Sequence, residues 1–185
     1  MKINCPVCGG EKTASSITRT DKIPYFGEVM ESMILCTKCG YKHNDIICLE
    51  QHDPASYTIT INQEHLNTRI IKAQSATLTI PELGLKVEPG PKSQGYISNI
   101  EGVLNRFTEA VQRSKILFPN KKTQKNADKI LENIQKVING TMTATLKLED
   151  PFGQSKILHH HAKEHKLTPQ ETKKLKTGFT TIETE

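Results

Sequence analysis

The pattern of apolar and polar positions divides the chain into a strand-rich stretch, a helical stretch and a shorter return to strands. Tyr57, Ile59 and Ile61 alternate with Thr58 and Thr60, a period of two that turns one face of a strand inward. Arg69, Ile70 and Ile71 predict a further strand, as do Ala76 to Ile80 and Leu83 to Val87. The last of these is bounded by Pro81 and by Pro89-Gly90-Pro91. The period then changes. Ile100, Val103, Leu104, Phe107, Ala110 and Val111 recur at helical spacing, and Ser98 with Glu101 fits a capping box at the helix start. Pro119-Asn120 interrupts this helix. Ala127, Ile130, Leu131, Ile134, Val137 and Ile138 define the next one, and Gly140 stands where a C-terminal stop is expected. The connection is short, so the two helices should form an antiparallel hairpin over about 98–140. Alternation returns at Met142, Ala144, Leu146 and Leu148. Asp150-Pro151-Phe152-Gly153 reads as a turn. From Ser155 onward the chain is basic and polar, with a last strand expected at Phe179-Thr180-Thr181-Ile182.

The first fifty residues carry a different signal. Cys5-Pro6-Val7-Cys8-Gly9 and Cys36-Thr37-Lys38-Cys39-Gly40 repeat one short spacing. Two intervening residues let both thiolates of a pair face one ion, and the following glycine suits a turn with positive φ. Two such knuckles make a closed tetrahedron of four thiolates, the arrangement that a structural zinc ion prefers. Zinc binding and folding should then be coupled. A rubredoxin-like iron site uses similar knuckles and is the rival assignment. A closed set leaves no position for water, which argues for structure over catalysis. Cys48, in the run Ile46-Ile47-Cys48-Leu49, reads as a small buried hydrophobe. Twenty-seven residues separate Cys8 from Cys36, against about 15–20 in the usual ribbon. Longer strands or a protruding loop must absorb the difference. Tyr25 and Phe26 fall in this gap, beside Pro24 and Gly27. They either form an exposed recognition loop or pack beneath the ribbon.

Composition narrows the class. The chain has 185 residues, 35% hydrophobic and 5% aromatic, with no Trp, so the core must be aliphatic. A net charge of +5 permits an acidic or nucleic-acid partner without requiring one. No apolar run is long enough for a membrane span. The opening MKINCPVCGG lacks a signal-peptide stretch. A cytoplasmic location is therefore expected, where cysteines serve more often as metal ligands than in disulfides. Gln51-His52-Asp53-Pro54 reads as a linker between a ribbon at 1–50 and a second domain at 51–185.

Other candidates have plainer readings beside them. The Asp150 to Ser155 segment could bind a partner, but Pro151 and Gly153 favour a tight turn. His159-His160-His161 with His165 suggests a metal site, and a helix would put His161 and His165 on one face. Flanking lysines favour a solvated histidine-rich surface. Lys121, Lys122, Lys125 and Lys129, and Lys173, Lys174 and Lys176, form basic clusters that can contact phosphates. They lack interleaved aromatics, which weakens a nucleic-acid reading. No Gly-rich phosphate loop, Gly-x-Ser-x-Gly elbow or His-Glu-x-x-His occurs, so the sequence reads as a non-enzyme.

Taken in order, several motifs resemble the ZPR-one zinc-finger family in its single-copy archaeal form. They are Cys5-Pro6-x-Cys8-Gly9, Lys22-Ile23-Pro24-Tyr25-Phe26-x-Glu28-Val29, Cys36-x-x-Cys39-Gly40-Tyr41-Lys42-x-Asn44, Pro81-Glu82-Leu83-Gly84-Leu85, Glu101-Gly102-Val103-Leu104 and Asp150-Pro151-x-Gly153-x-Ser155. Gln154 stands where the family's turn has Asn. The resemblance covers nearly the whole chain. It implies a mainly β fold with a helical hairpin: an N-terminal four-cysteine zinc ribbon, like that of translation initiation factor two, followed by a β-sandwich/double-stranded β-helix domain. It implies one structural zinc on Cys5, Cys8, Cys36 and Cys39. Eukaryotic relatives bind translation elongation factor one-alpha and assist its folding, so that factor is the implied partner. The partner-binding candidates are Tyr25, Phe26, Asp150, Pro151, Gly153 and Ser155. An RNA- or ribosome-associated ribbon is the alternative.

Overall fold

A computed structural model describes residues 1–178 and resolves two compact units, Met1–His52 and one from Asp53 onward. The strand expected at Phe179 to Ile182 lies outside the described residues.

The first unit is one antiparallel sheet in the order β1-β2-β3-β4, with β1 at Lys2–Ile3, β2 at Ala14–Ile23, β3 at Gly27–Cys36 and β4 at Lys42–Cys48. The long gap between the knuckles is taken up by strand length. β2 and β3 pair over ten positions, from Ala14 opposite Cys36 to Ile23 opposite Gly27. The core at the base is very small: Cys5, Ala14 and Cys36 are buried, with Ile3, Cys8, Ile34 and Tyr41 against them. An apolar nucleus of this size cannot hold a domain unaided, and below about 40 residues metals or disulfides are usually needed. The unit is little larger than that limit.

The second unit carries the main core. A five-stranded antiparallel sheet runs β12-β5-β10-β7-β8, and a three-stranded one runs β11-β6-β9. Their ranges are β5 Ala55–Ile61, β6 Arg69–Lys72, β7 Thr77–Ile80, β8 Leu85–Val87, β9 Tyr96–Asn99, β10 Ala144–Asp150, β11 Lys156–Leu158 and β12 Lys163–Lys166. β10 is central, pairing with β5 from Ala144–Ile61 to Asp150–Ala55 and with β7 through Leu148–Leu78. Its alternation is strict. Ala144, Leu146, Leu148 and Asp150 are buried, while Thr145, Lys147 and Glu149 are half-buried. Replacing either fully enclosed leucine by Ala would cost about 2–5 kcal/mol.

Helices α1 (Ile100–Leu117) and α2 (Lys121–Ile138) form the expected hairpin, and Ile100, Val103, Leu104, Phe107, Ile134 and Val137 join the sheet residues in one core. The start of α1 differs from the sequence expectation. Asn99, not Ser98, is the N-cap, and its side chain accepts from the Gly102 amide at 2.8 Å. Ser98 is held in β9 opposite Ile70, so its backbone belongs to the sheet. Glu101 therefore falls one position short of a capping box. Gly140 follows α2 at φ 75° and ends it as expected.

The region after Ser155 is more ordered than its polarity suggests. It supplies β11, β12 and the short α3 (Pro169–Thr172), capped reciprocally by Thr168 and Glu171. β12 (Lys-Glu-His-Lys) is exposed at every position, as a charged edge strand beside β5.

Candidate metal centre

The two knuckles bring four sulfurs together at the base of the β2–β3 hairpin. All four Sγ atoms lie within 4.8 Å of one another. Cys5 Sγ is 3.7 Å from Cys39 Sγ, and Cys8 Sγ is 3.9 Å from Cys36 Sγ. A tetrahedral zinc with Zn–S near 2.3 Å requires sulfurs about 3.8 Å apart. The arrangement therefore fits one zinc with no rearrangement of the backbone. Each knuckle closes on itself: the Gly9 amide donates to Cys5 O (3.0 Å) and the Gly40 amide to Cys36 O (3.1 Å). Both glycines take positive φ, 66° and 73°.

The chemistry of the sulfurs agrees. The Thr13 hydroxyl, then the Cys39 and Lys38 amides, pull Cys36 down to about 6. The Gly10 amide holds Cys8 below the ordinary thiol range. Cys39 keeps the Tyr41 amide as a partner, yet partial desolvation of its sulfur and the neighbouring sulfurs push it up to about 12. Four thiolates this close cannot all ionise unaided. A divalent cation relieves the repulsion by displacing the protons. Cys5 and Cys36 are buried, whereas Cys39 is exposed. Cys48, on β4, stands apart from the set and is half-buried.

The other end of the hairpin is its tip. Tyr25 is 52% exposed, while Phe26 is half-buried, and neither joins an apolar core. Tyr25 holds φ at 73°, a left-handed conformation that is strained for a bulky residue. Along one face of the same sheet runs an open groove of about 480 Å³, lined by Ile17, Met33 and Ile46 with Arg19, Glu31 and Asn44. Ile17 and Ile46 are about half exposed.

The Asp150 to Ser155 segment is placed differently. Asp150 is fully buried, and so are Pro151 and Ser155. Asp150 Oδ1 accepts from the Ser75 hydroxyl (2.8 Å) and the Phe152 amide (3.0 Å). Oδ2 accepts from the Gln154 amide (2.8 Å) and the Ser155 hydroxyl (2.6 Å). Ser155 Oγ in turn accepts from the Ala73 amide (2.9 Å). These side chains are engaged inside the fold, tying the turn after β10 to the one after β6. Lys72 lies buried beside this network, donating to Ala73 O at 3.1 Å. Burial lowers its amine to about 8, against the opposing attraction of Asp150.

Two features escaped the sequence reading. Ile116, Leu117 and Phe118, at the tip of the helical hairpin, are 78%, 71% and 59% exposed. Three consecutive exposed apolar residues are uncommon unless they bind something. The sequence signal was available: they extend α1 off its own apolar face. The second concerns histidines. His161 and His165 share no helix, since His161 lies in the turn after β11 and His165 in β12. His159 and His161 instead gather with His65, from a short 3-10 turn at Gln63–His65. The α2 lysines Lys121, Lys122, Lys125 and Lys129 are all exposed, whereas Lys176 is paired with Glu88 at 2.6 Å. No helix among the described residues is long and apolar enough to cross a membrane.

Comparison with known proteins matches both units. A family profile described as the ZPR1 zinc-finger domain matches residues 1–51, and one described as the ZPR1 jelly-roll domain matches residues 64–183. A ZPR1-like protein of Pyrococcus horikoshii is 39% identical over 180 residues, 95% of this chain and 80% of that protein. One from Methanocaldococcus jannaschii is 38% identical over 180 residues, 97% of this chain and 91% of its own length. The zinc finger chaperone zpr1 of Schizosaccharomyces pombe is 29% identical over 167 residues, 85% of this chain but only 35% of the yeast protein.

Proposed function

The chain belongs to the ZPR1 (ZPR-one) zinc-finger family, and from that premise we propose that it is a zinc-dependent protein-interaction factor that binds translation elongation factor one-alpha and assists its folding. In this reading Cys5, Cys8, Cys36 and Cys39 ligate the zinc, and the ion fixes the base of a long hairpin. Ten-residue strands at about 3.3 Å per residue carry the tip up to about 30 Å from that base. The observation that carries the proposal is the tip itself, with Tyr25 exposed and held in a strained conformation. Strain of this kind concentrates at binding sites, and an exposed tyrosine is a common interface anchor. The groove lined by Ile17, Met33 and Ile46 extends an apolar surface along the same sheet. The name of the Schizosaccharomyces pombe relative, a chaperone, supports the same reading. Asp150, Pro151, Gly153 and Ser155 enter as supports for the backbone and not as contacts.

The test is calorimetric binding of the zinc-loaded chain to purified elongation factor one-alpha from the same cell. Tyr25→Ala should weaken binding by about 2 kcal/mol, roughly thirtyfold. The proposal fails if no binding occurs with zinc in place. A second reading, an RNA- or ribosome-associated protein, draws on the lysines Lys121, Lys122, Lys125 and Lys129 along α2. It requires RNA binding that weakens steeply with salt.

A further inference from the structure

The histidine tract is a plain surface feature in the sequence and becomes a constellation in the fold. His65 sits at the end of the turn after β5, its amide donating to Asn62 O at 3.1 Å and its carbonyl accepting from the Thr68 amide at 2.9 Å. The tract sits in the turn after β11, closed by the Ala162 amide on His159 O at 3.0 Å. Pairing of β11 with β6 holds the second turn in place. The rings of His65 and His159 have centroids 5.0 Å apart, His65 and His161 5.9 Å, and His159 and His161 5.2 Å. One ligand nitrogen from each lies within 4.8 Å of the others.

A second observation points to a ligand. Among the described residues, His65 Nδ1 is shielded from solvent and has no hydrogen-bond partner. A buried polar nitrogen without a partner costs about 1–3 kcal/mol. One water could satisfy that atom alone, but a cation satisfies it together with the two facing rings.

We propose that His65, His159 and His161 form a second metal site, which takes a divalent transition-metal ion of the zinc, copper and nickel class through three imidazoles. Imidazole is the ligand that such ions share. Tetrahedral coordination at about 2.0–2.1 Å sets ligand nitrogens about 3.4 Å apart, so the rings must close by no more than about 1.5 Å. His159 and His161 are side chains of a surface turn and can make that movement. The His161 amide donates to His159 Nδ1 at 3.2 Å, a long bond that coordination would replace or leave according to which ring nitrogen binds. The adjoining depression, about 450 Å³, is lined by Glu64 and Arg69 among others, one charge of each sign. Three protein ligands leave a fourth position open, so this ion should exchange more readily than one held by four thiolates.

The experiment uses the whole chain with its four-thiolate site already filled by zinc. Added Co2+ is followed by visible absorption, and bound metal is counted after gel filtration. The expected result is a second equivalent whose spectrum lacks a thiolate charge-transfer band. His65→Ala and His65→Gln should each weaken it at least about a hundredfold, beyond the ten- to hundredfold that a merely supporting residue costs. His160→Ala and His165→Ala should keep it. Circular dichroism and retention of the first zinc establish that the variants fold. The inference is overturned by the absence of a second equivalent. It is equally overturned by one that survives both His65 variants, or by one that His160→Ala removes, the mark of loose chelation by the tract.

Discussion

Asp150→Asn is the sharpest probe of how the second domain is held. Asp150 occupies the last inward position of β10, where alternation alone would place an apolar side chain. Its carboxylate instead accepts four hydrogen bonds, two at each oxygen. An amide keeps one oxygen and turns the other into a donor. Whichever way it is oriented, one backbone N–H and one serine hydroxyl then face an NH2 group; the hydroxyl can turn to accept from it, but the N–H cannot. Hydrogen bonds to a charged group contribute about 1.5–3 kcal/mol each; one is lost outright and the other three fall to roughly half that strength, so the cost is about 4–7 kcal/mol. Relief of the buried charge offsets part of this. A net loss of about 3 kcal/mol or more is expected, a large share of the roughly 5–15 kcal/mol that holds a domain together. Urea denaturation of the zinc-saturated protein, followed by far-UV circular dichroism, measures it. Ser75→Ala, which removes one of the four bonds, should cost about 1–3 kcal/mol. The double variant Asp150→Asn/Lys72→Met should recover part of the loss, because Asp150 supports the charge on Lys72. An Asp150→Asn protein within about 0.5 kcal/mol of the parent would refute the reasoning. If that stable protein had also lost its partner, the turn would be a contact and not a support.

Further outcomes follow from the same structure. Lys72 sits at about 8 in the folded chain against an ordinary 10.5, so between those values the unfolded chain binds a proton that the folded chain does not. Stability should therefore rise with pH across that window and lie at its floor below it. Lys72→Met should flatten the rise and, at pH 7, add on the order of 1–3 kcal/mol in the same urea assay. Cys36→Ser should abolish binding of the thiolate-held zinc, measured by metal analysis, and melt the ribbon while the strands of the second unit persist in circular dichroism. Tyr25→Gly relieves a strained φ, so the thermal stability of the ribbon should hold or improve even as binding to the elongation factor falls. Loss of both together would mean that Tyr25 is structural.

Much of this architecture is written in local patterns. The twin knuckles set the metal centre, because two thiolates at that spacing have little else to do once paired with a second set. Tyr57, Ile59 and Ile61, and the 3.6-residue recurrence through α1 and α2, mark elements whose apolar faces meet one core. The remainder depends on partners distant in the chain. β12 carries no alternation because both of its faces are exposed among the described residues, and pairing with β5 makes it a strand. Asn99 takes the cap from Ser98 because β6 claims Ser98. Asp150 reads as a turn residue, and its burial emerges only when Ser75 and Ser155 close around it. His65 gives no sign in the sequence of its nearness to His159, since a lone histidine after a strand has no pattern.

The central claim is a zinc-dependent factor that assists the elongation GTPase to fold. The measurement that tests it most directly is the yield of nucleotide-binding elongation factor one-alpha, refolded from denaturant with and without the zinc-loaded chain. The account predicts a higher yield with the chain, lost when Cys36→Ser protein replaces it and reduced by Tyr25→Ala. Equal yields with and without the zinc-loaded chain would contradict it.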